Sequence, residues 1–236
     1  MNTLLNRVRH RAVGYRRLWC ERMGIDWYSK PARCGMDEKL QAYLPPRGFF
    51  VEVGAHDGYS DSNTYYLERI KKWKGVLIEP ISGNYKACRI QRPNSMVFNA
   101  AVVAADYGKP TISMTFADRS STVHGAFGDE AQESAHIQEG ARFVKTHLEV
   151  VPARTLKDIL TETKVKEIDF FSLDVEGYEC EALKGMDWDR HAPNYFLIEC
   201  LTSEMHAKVR CCLDERYDLV CELSRFNFLF KKRILK

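Results

Sequence analysis

The chain has 236 residues, 45% of them hydrophobic and 28% charged, with a formal net charge of +3. Such a chain can bury a sizeable core in one α/β domain with embellishments, and the small charge gives no sign of a nucleic-acid partner. It has no apolar run of about 18 residues to span a membrane and no apolar h-region of a signal peptide. None of its eight cysteines has Cys-x-x-Cys spacing, so reduced thiols in a cytoplasmic protein are expected.

Residues 1–47 form a basic extension expected to be helical. Arg7, Arg9, Arg11, Arg16, Arg17 and Arg22 face only one acid, Glu21, while Leu4, Leu5, Val8, Leu18, Trp19 and Met23 supply an apolar stripe. One reading is a helix packed on the domain with a solvated basic face. The other is peripheral membrane or partner contact. Asp37 to Leu44 reads as a short helix stopped by Pro45 and Pro46.

Phe49 to Val53 is a strand apolar enough to be buried on both faces. It breaks into a glycine turn, Gly54 to Gly58, followed by helix-start residues Ser60 to Thr64 and a helix over Tyr65–Lys72. Strand, glycine turn and helix make the first half of a nucleotide-binding βαβ unit. The Gly54-x-x-x-Gly58 spacing, preceded by Glu52, departs from the Gly-x-Gly-x-x-Gly of a dinucleotide site. It suits S-adenosylmethionine, which has no pyrophosphate and whose amino-acid tail needs both a carboxylate and backbone donors. Gly75 to Glu79 is a second strand whose terminal acid stands where ribose hydroxyls are bound, next to Pro80; Glu79 could equally cap the helix over Ile81–Arg92.

Ser95 to Val103 reads as the third strand, with Asn99 and Ala100 offering a polar edge and a small surface for adenine. Thr111 to Phe116 alternates as an edge strand should. Residues 118–146 lack a clear period and read as a lid over the substrate pocket, carrying His124. Leu148 to Pro152 is a short strand, and Arg154 to Leu160 a helix with Thr155 as its cap. Ile168 to Asp174 is the fourth parallel strand. Asp174 and Glu176 follow at the sheet edge where ligands bind in open α/β folds, and an acid there can take a hydroxyl proton or hold a cation. Glu179 and Glu181 suit the start of the next helix, which Gly185 stops. Asn194 to Cys200 is the fifth strand, ending in Glu199. A helix containing His206 leads to strands Tyr217–Leu223 and Arg225–Phe230, whose short connection makes the last strand antiparallel.

Val51 to Gly58 with Ser62 to Thr64, Leu77 to Pro80, Asn99 to Ala101, and Asp174 to Glu179 with Leu183 to Gly185 together resemble the FkbM family of S-adenosylmethionine-dependent methyltransferases. The resemblance spans roughly residues 48–231 and leaves the N-terminal extension outside a methyltransferase domain at 48–236. It implies a class I methyltransferase fold, Rossmann-like, with a mostly parallel seven-stranded sheet, a C-terminal antiparallel hairpin and helices on both faces. It also implies O-methylation of a hydroxyl on a sugar, glycan or secondary metabolite. Carried over by position, Glu52, Gly54, Ala55 and Gly58 line the methionine end of the cofactor, Asn63 and Thr64 assist from the helix start, Glu79 and Pro80 meet the ribose, and Asn99 and Ala100 flank adenine. Asp174 and Glu176 face the reacting centre. His56, within the cofactor loop, and His124, on the lid, are rival bases, and Asp174 with Glu199 is an alternative cation site. The competing functions are an NAD-dependent oxidoreductase of similar topology and a non-catalytic binding module on this scaffold.

Overall fold

The computed structural model describes residues 14–234; the sequence-predicted stripe residues Leu4, Leu5 and Val8, with Arg7, Arg9 and Arg11, lie outside them. The described residues begin with helix α1, residues 14–22. A short helix α2 (Met36–Lys39) follows, continued by a 3-10 turn. The alternating unit then runs β1 (Phe49–Val53), α3 (Tyr65–Arg69), β2 (Lys74–Ile78), α4 (Ser82–Gln91) and β3 (Met96–Phe98). Next come β4 (Ala101–Val102), β5 (Thr111–Phe116), β6 (Thr122–Val123), α5 (Glu130–Ala141), β7 (His147–Arg154) and α6 (Leu156–Thr163). The C-terminal part is β8 (Phe170–Leu173), α7 (Glu179–Lys184), α8 (Trp188–His191), β9 (Tyr195–Glu199), α9 (Ser203–Leu213), β10 (Tyr217–Glu222) and β11 (Asn227–Lys232).

Seven strands form the main sheet in the order β10-β11-β9-β8-β1-β2-β3. All pairs are parallel except those made by β11, which runs antiparallel to both β9 and β10. This is the Rossmann-like class I methyltransferase arrangement expected from the sequence. Side chains alternate across each strand. Val51 and Phe171 point into one buried layer with Leu156 and Ile159 of α6, while Phe50 and Phe170 point into the other with Met36, Leu40 and Trp73. Both faces are thus covered, and each large side chain so buried contributes about 1.5–3 kcal/mol. Strand order reverses between β1 and β8, and such a switch point opens a crevice at the strands' carboxyl ends.

Two sequence-based strands are corrected. Ser95–Val103 is two strands in two sheets. The Glu79 N–H donates to Phe98 O at 3.0 Å, and Asn99 Nδ2 then donates to the carbonyls of Glu79 and Pro80 at 2.9 and 2.7 Å. That bends the chain away, and β4 pairs with β7 instead. Thr111–Phe116 is not an edge strand of the main sheet; it lies between β7 and β6 in a second sheet of order β4-β7-β5-β6. Thr155 does cap α6, accepting from the Asp158 N–H at 3.1 Å. Among the described residues, no helix is long and apolar enough to cross a membrane.

Candidate active site

A cleft opens at the switch point, walled by the carboxyl ends of β1, β2, β8 and β9 and by the 118–123 segment. Its floor is the turn after β1. Gly54 adopts φ +84°, and a Cβ there would stand 1.8 Å from the Asp174 carbonyl oxygen, so only glycine lets the two strand ends approach. Gly58, at φ +81°, is a packing glycine whose Cβ would strike Cys88 and Arg92. His56 between them is also left-handed, φ 48°. Asp57 closes the turn by accepting from the N–H groups of Tyr59 and Ser60 at 2.9 and 2.7 Å.

The turn is held from beneath by a buried ionic network. Glu52, in the middle of an otherwise apolar strand, accepts from Ser62 Oγ (2.8 Å), the Asn63 N–H (2.9 Å) and Thr64 Oγ1 (2.6 Å). Arg92, fully buried, lies 3.5 Å from Glu52 and 2.6 Å from Glu68. It also donates to Gly58 O, Ser62 Oγ and Thr64 Oγ1. Nothing in the sequence marked Arg92 beyond its place before Pro93. Its only trace is the acid Glu68 inside the apolar face of α3, which needs a buried partner.

On the β2 side, Glu79 accepts from the N–H groups of His56 (2.8 Å) and Ile81 (2.9 Å). It therefore braces the glycine turn and starts α4, while its oxygens keep further lone pairs toward the cleft it lines. Pro80 and Ala100 line the same wall. Asn99 stands behind it, its amide committed to the Glu79 and Pro80 carbonyls.

On the β8 and β9 side, one oxygen from each of Asp174, Glu176 and Glu199 falls within 4.8 Å of the others. Asp174 Oδ1 is buried without a hydrogen-bond partner. Glu176 sits at φ 53°, and its carbonyl accepts from Thr122 Oγ1 at 2.8 Å. His136 of α5 reaches it from the 118–146 segment, with Nε2 3.0 Å from Glu176 Oε2. The residue expected as the lid base, His124, is corrected: its side chain is 72% exposed, beside Glu133, and does not line the cleft. It is His136, on α5, that lies against Glu176 instead.

Crowded, buried acids resist ionising. Burial, and then the Glu199 charge, pushes Asp174 well above the carboxylate range. Burial pushes Glu79 and Glu179 up to about 7. Glu176 and Glu199 also rise to about 7, burial again leading, with the His136 contact opposing it at Glu176 and the Glu176 charge adding to it at Glu199. Asp57 goes the other way: burial raises it, but the His56 imidazole 3.7 Å away and the hydrogen bonds from the Ser60 and Tyr59 N–H groups outweigh that and hold it low. For the four glutamates, the ordinary value is 4.5 and the folded one about 7. Between these values the unfolded chain has lost protons that the folded chain retains, so stability falls as pH rises through that window. Melting of the free protein is expected at a lower temperature near pH 8 than near pH 5, and Glu199→Gln should flatten the difference. A melting temperature that climbs over this interval would contradict the protonated cluster.

Of the sequence-predicted site residues, Glu52, Gly54, His56, Asn63, Glu79, Pro80, Ala100, Asp174 and Glu176 line the cleft. Ala55, Gly58, Thr64 and Asn99 stand behind the lining. Residues the sequence reading did not single out also reach it: Asp118, 3.3 Å from His56 Nε2, and the pair Arg119–Asp61 at 3.1 Å.

Residues 52–228 match the methyltransferase FkbM domain. A search of curated proteins finds no match. Among solved structures, the chain is similar to Aeropyrum pernix fibrillarin with natively bound S-adenosyl-L-methionine (8% identity, 88% of this chain and 76% of that one, TM-score 0.48). It is also similar to a TehB-like SAM-dependent methyltransferase from Corynebacterium glutamicum (9%, 95% and 99%, TM-score 0.43). A third similar structure is M. capricolum TrmK with S-adenosyl-homocysteine (7%, TM-score 0.42), where 83% of this chain spans 65% of that one.

Proposed function

Because the chain belongs to the FkbM methyltransferase family, we propose that it transfers a methyl group from S-adenosylmethionine to a hydroxyl of a sugar, glycan or secondary metabolite. The observation that carries this reading is the meeting, in one cleft, of the Gly54 turn, the Glu79 carboxylate and the unpartnered Oδ1 of Asp174. Acceptor oxygens that await donors, in a cleft rich in acids, suit a ligand bearing ribose hydroxyls, an ammonium and a sulfonium. When bound, S-adenosylmethionine supplies a transferable methyl group and a positive charge.

The roles follow from position. Glu79 and Pro80 take the ribose, Ala100 leaves room for the adenine, and Gly54, His56 and Asn63 border the amino-acid tail. Glu52, Ala55, Gly58, Thr64 and Asn99 act from behind as positioning residues. Asp174 receives the acceptor's proton, with Glu176 and Glu199 beside it. Methyl transfer is an in-line displacement, so alignment of the acceptor oxygen is the other part of the protein's contribution. The three-acid set also has the oxygen ligands of a hard divalent cation, which would lower the hydroxyl's pKa by a different route. Calorimetry with S-adenosylhomocysteine and with NADH tests the cofactor, and a one-methyl mass gain in a sugar or glycolipid pool tests the reaction. Binding of NADH alone would favour an oxidoreductase, and cofactor binding with no methyl gain in any pool would favour a binding module.

Glu79→Ala is expected to weaken S-adenosylhomocysteine binding by roughly 1.5–3 kcal/mol, the range for hydrogen bonds to a charged group. Because Ala also strands the His56 and Ile81 N–H groups, Glu79→Gln is the companion: it keeps an acceptor and the shape. Full affinity in both folded variants would remove Glu79 from the site.

Residues 118–146 are proposed to act as a lid, latched through Thr122 and His136 onto Glu176. Protease should cut there readily in the free protein and slowly with cofactor and acceptor bound. Equal cutting in both states would make the segment an ordinary surface excursion.

A further inference from the structure

The outward face of α1 has no role in the cleft. Three residues tie the helix to the domain. Glu21 pairs with Arg69 at 2.7 Å and accepts from Tyr65 Oη at 2.8 Å. Arg17 is buried, its guanidinium 3.6 Å from the centre of the Tyr59 ring. Cys20 is buried between them in sequence. Residues 17, 20 and 21 define the inner side of a helix. The opposite side carries Tyr15, Trp19 and Arg22, flanked by Arg16 and Met23, and all five are exposed or partly so. Trp19 is 62% exposed, and Trp27, just beyond the helix, 77%.

Charge on this face has one sign. Glu21 is turned inward and only 3% exposed at its side chain, and Asp26 is paired with Lys30 at 3.1 Å. Arg16 and Arg22 remain outward, and the sequence before them adds Arg7, Arg9 and Arg11 with no acid. Two copies meeting on this face would bring arginines together with no carboxylate between them. Tryptophan, tyrosine and arginine on one helical face match the chemistry of a bilayer interface, where aromatic rings sit at headgroup depth and cations meet anionic lipid.

We propose that the outward face of α1, with Trp27, docks this enzyme on the surface of an anionic lipid bilayer. Trp19, Trp27 and Tyr15 enter the headgroup layer, and Arg16 and Arg22 bind lipid phosphates and carboxylates. The helix stays tied to the domain through Arg17 and Glu21, so docking requires no unfolding of the anchored turn.

Flotation of the full chain with vesicles tests this. Binding to vesicles of phosphatidylcholine with phosphatidylserine is expected to exceed binding to phosphatidylcholine alone by about tenfold or more, with a blue shift of tryptophan emission. Trp19→Ala with Trp27→Ala should reduce binding to both compositions. Arg16→Glu with Arg22→Glu should erase the phosphatidylserine preference. These side chains are outside the cleft and the buried layers, so S-adenosylhomocysteine affinity and melting temperature should be unchanged in both pairs. That control keeps failure of docking distinct from failure of the methyltransferase reading. Equal recovery with and without phosphatidylserine vesicles, or binding indifferent to both double variants, overturns the proposal. So does light scattering that shows a dimer lost in the tryptophan variant without any vesicle binding.

Discussion

Asp174→Asn is expected to lower turnover by about 10²- to 10⁴-fold, the usual effect of removing a general base, while cofactor binding changes far less. In the free protein burial and then the Glu199 charge raise this carboxyl's pKa well above its ordinary value, which disfavours the ionised form that accepts a proton. A cationic ligand in the cleft favours its ionised form, so the base becomes available when the cleft is filled. Asparagine preserves the volume and removes the charge. It also removes a buried acid that is costly to ionise, so the variant should melt no lower than the native protein. Chelation by EDTA separates the two uses of this carboxylate. Activity lost with EDTA and restored by magnesium means that Asp174 holds a cation; indifference to EDTA leaves direct proton transfer. Native turnover in Asp174→Asn at saturating cofactor would sink both, and the Glu176–His136 pair would be tested next.

Arg92→Met should be the most destabilising single change outside the apolar layers. Arg92 is fully buried and is the counter-charge of Glu68, whose side chain is also fully buried, and of Glu52. Removing one partner of a buried pair typically costs about 3–5 kcal/mol, because the charge left behind has neither water nor partner. For a chain of this size that corresponds to a melting temperature lower by about 6–20 °C. Replacing the pair is less harmful than breaking it. Adding Glu68→Gln to Arg92→Met should therefore recover a measurable part of the loss, by thermal melting in the same buffer. If the double variant is worse by the sum of both single changes, the two residues act separately. A stable Arg92→Met protein would mean that the glycine turn is held by Ser62 and Thr64 on Glu52 alone.

Much of the sheet was legible because its strands declare themselves locally. Phe49–Val53, Val76–Ile78, Phe170–Leu173 and Phe196–Ile198 are short apolar runs, as strands buried on both faces must be. The acids Glu79, Asp174 and Glu199 follow or close such runs, so their common sheet edge was readable once the strands were parallel. Gly54 was readable too, since a turn that tight demands a residue without a Cβ. The short connection after Glu222 likewise required an antiparallel final strand.

Other features depend on partners distant in the chain, and only the tertiary structure decided them. Asn99 ends one strand and sends the next into a second sheet by donating to carbonyls of the neighbouring strand, an interaction with no local signal. Two histidines of the 118–146 segment were equivalent as residue types; the fold sets His136 of α5 against Glu176 and leaves His124 exposed. Arg92 looked like a helix end, yet folding sets it beneath the glycine turn between two acids. For α1 the sequence left a basic helix with two readings. Tyr59, Tyr65 and Arg69 chose which side faces inward, and so left Tyr15 and Trp19 facing out. The sequence by itself determined the strand and turn types, because these follow from the apolar pattern and backbone sterics of adjacent residues. Which polar groups meet was decided by the fold, because buried charges and carbonyls are satisfied by whatever the sheet order brings beside them.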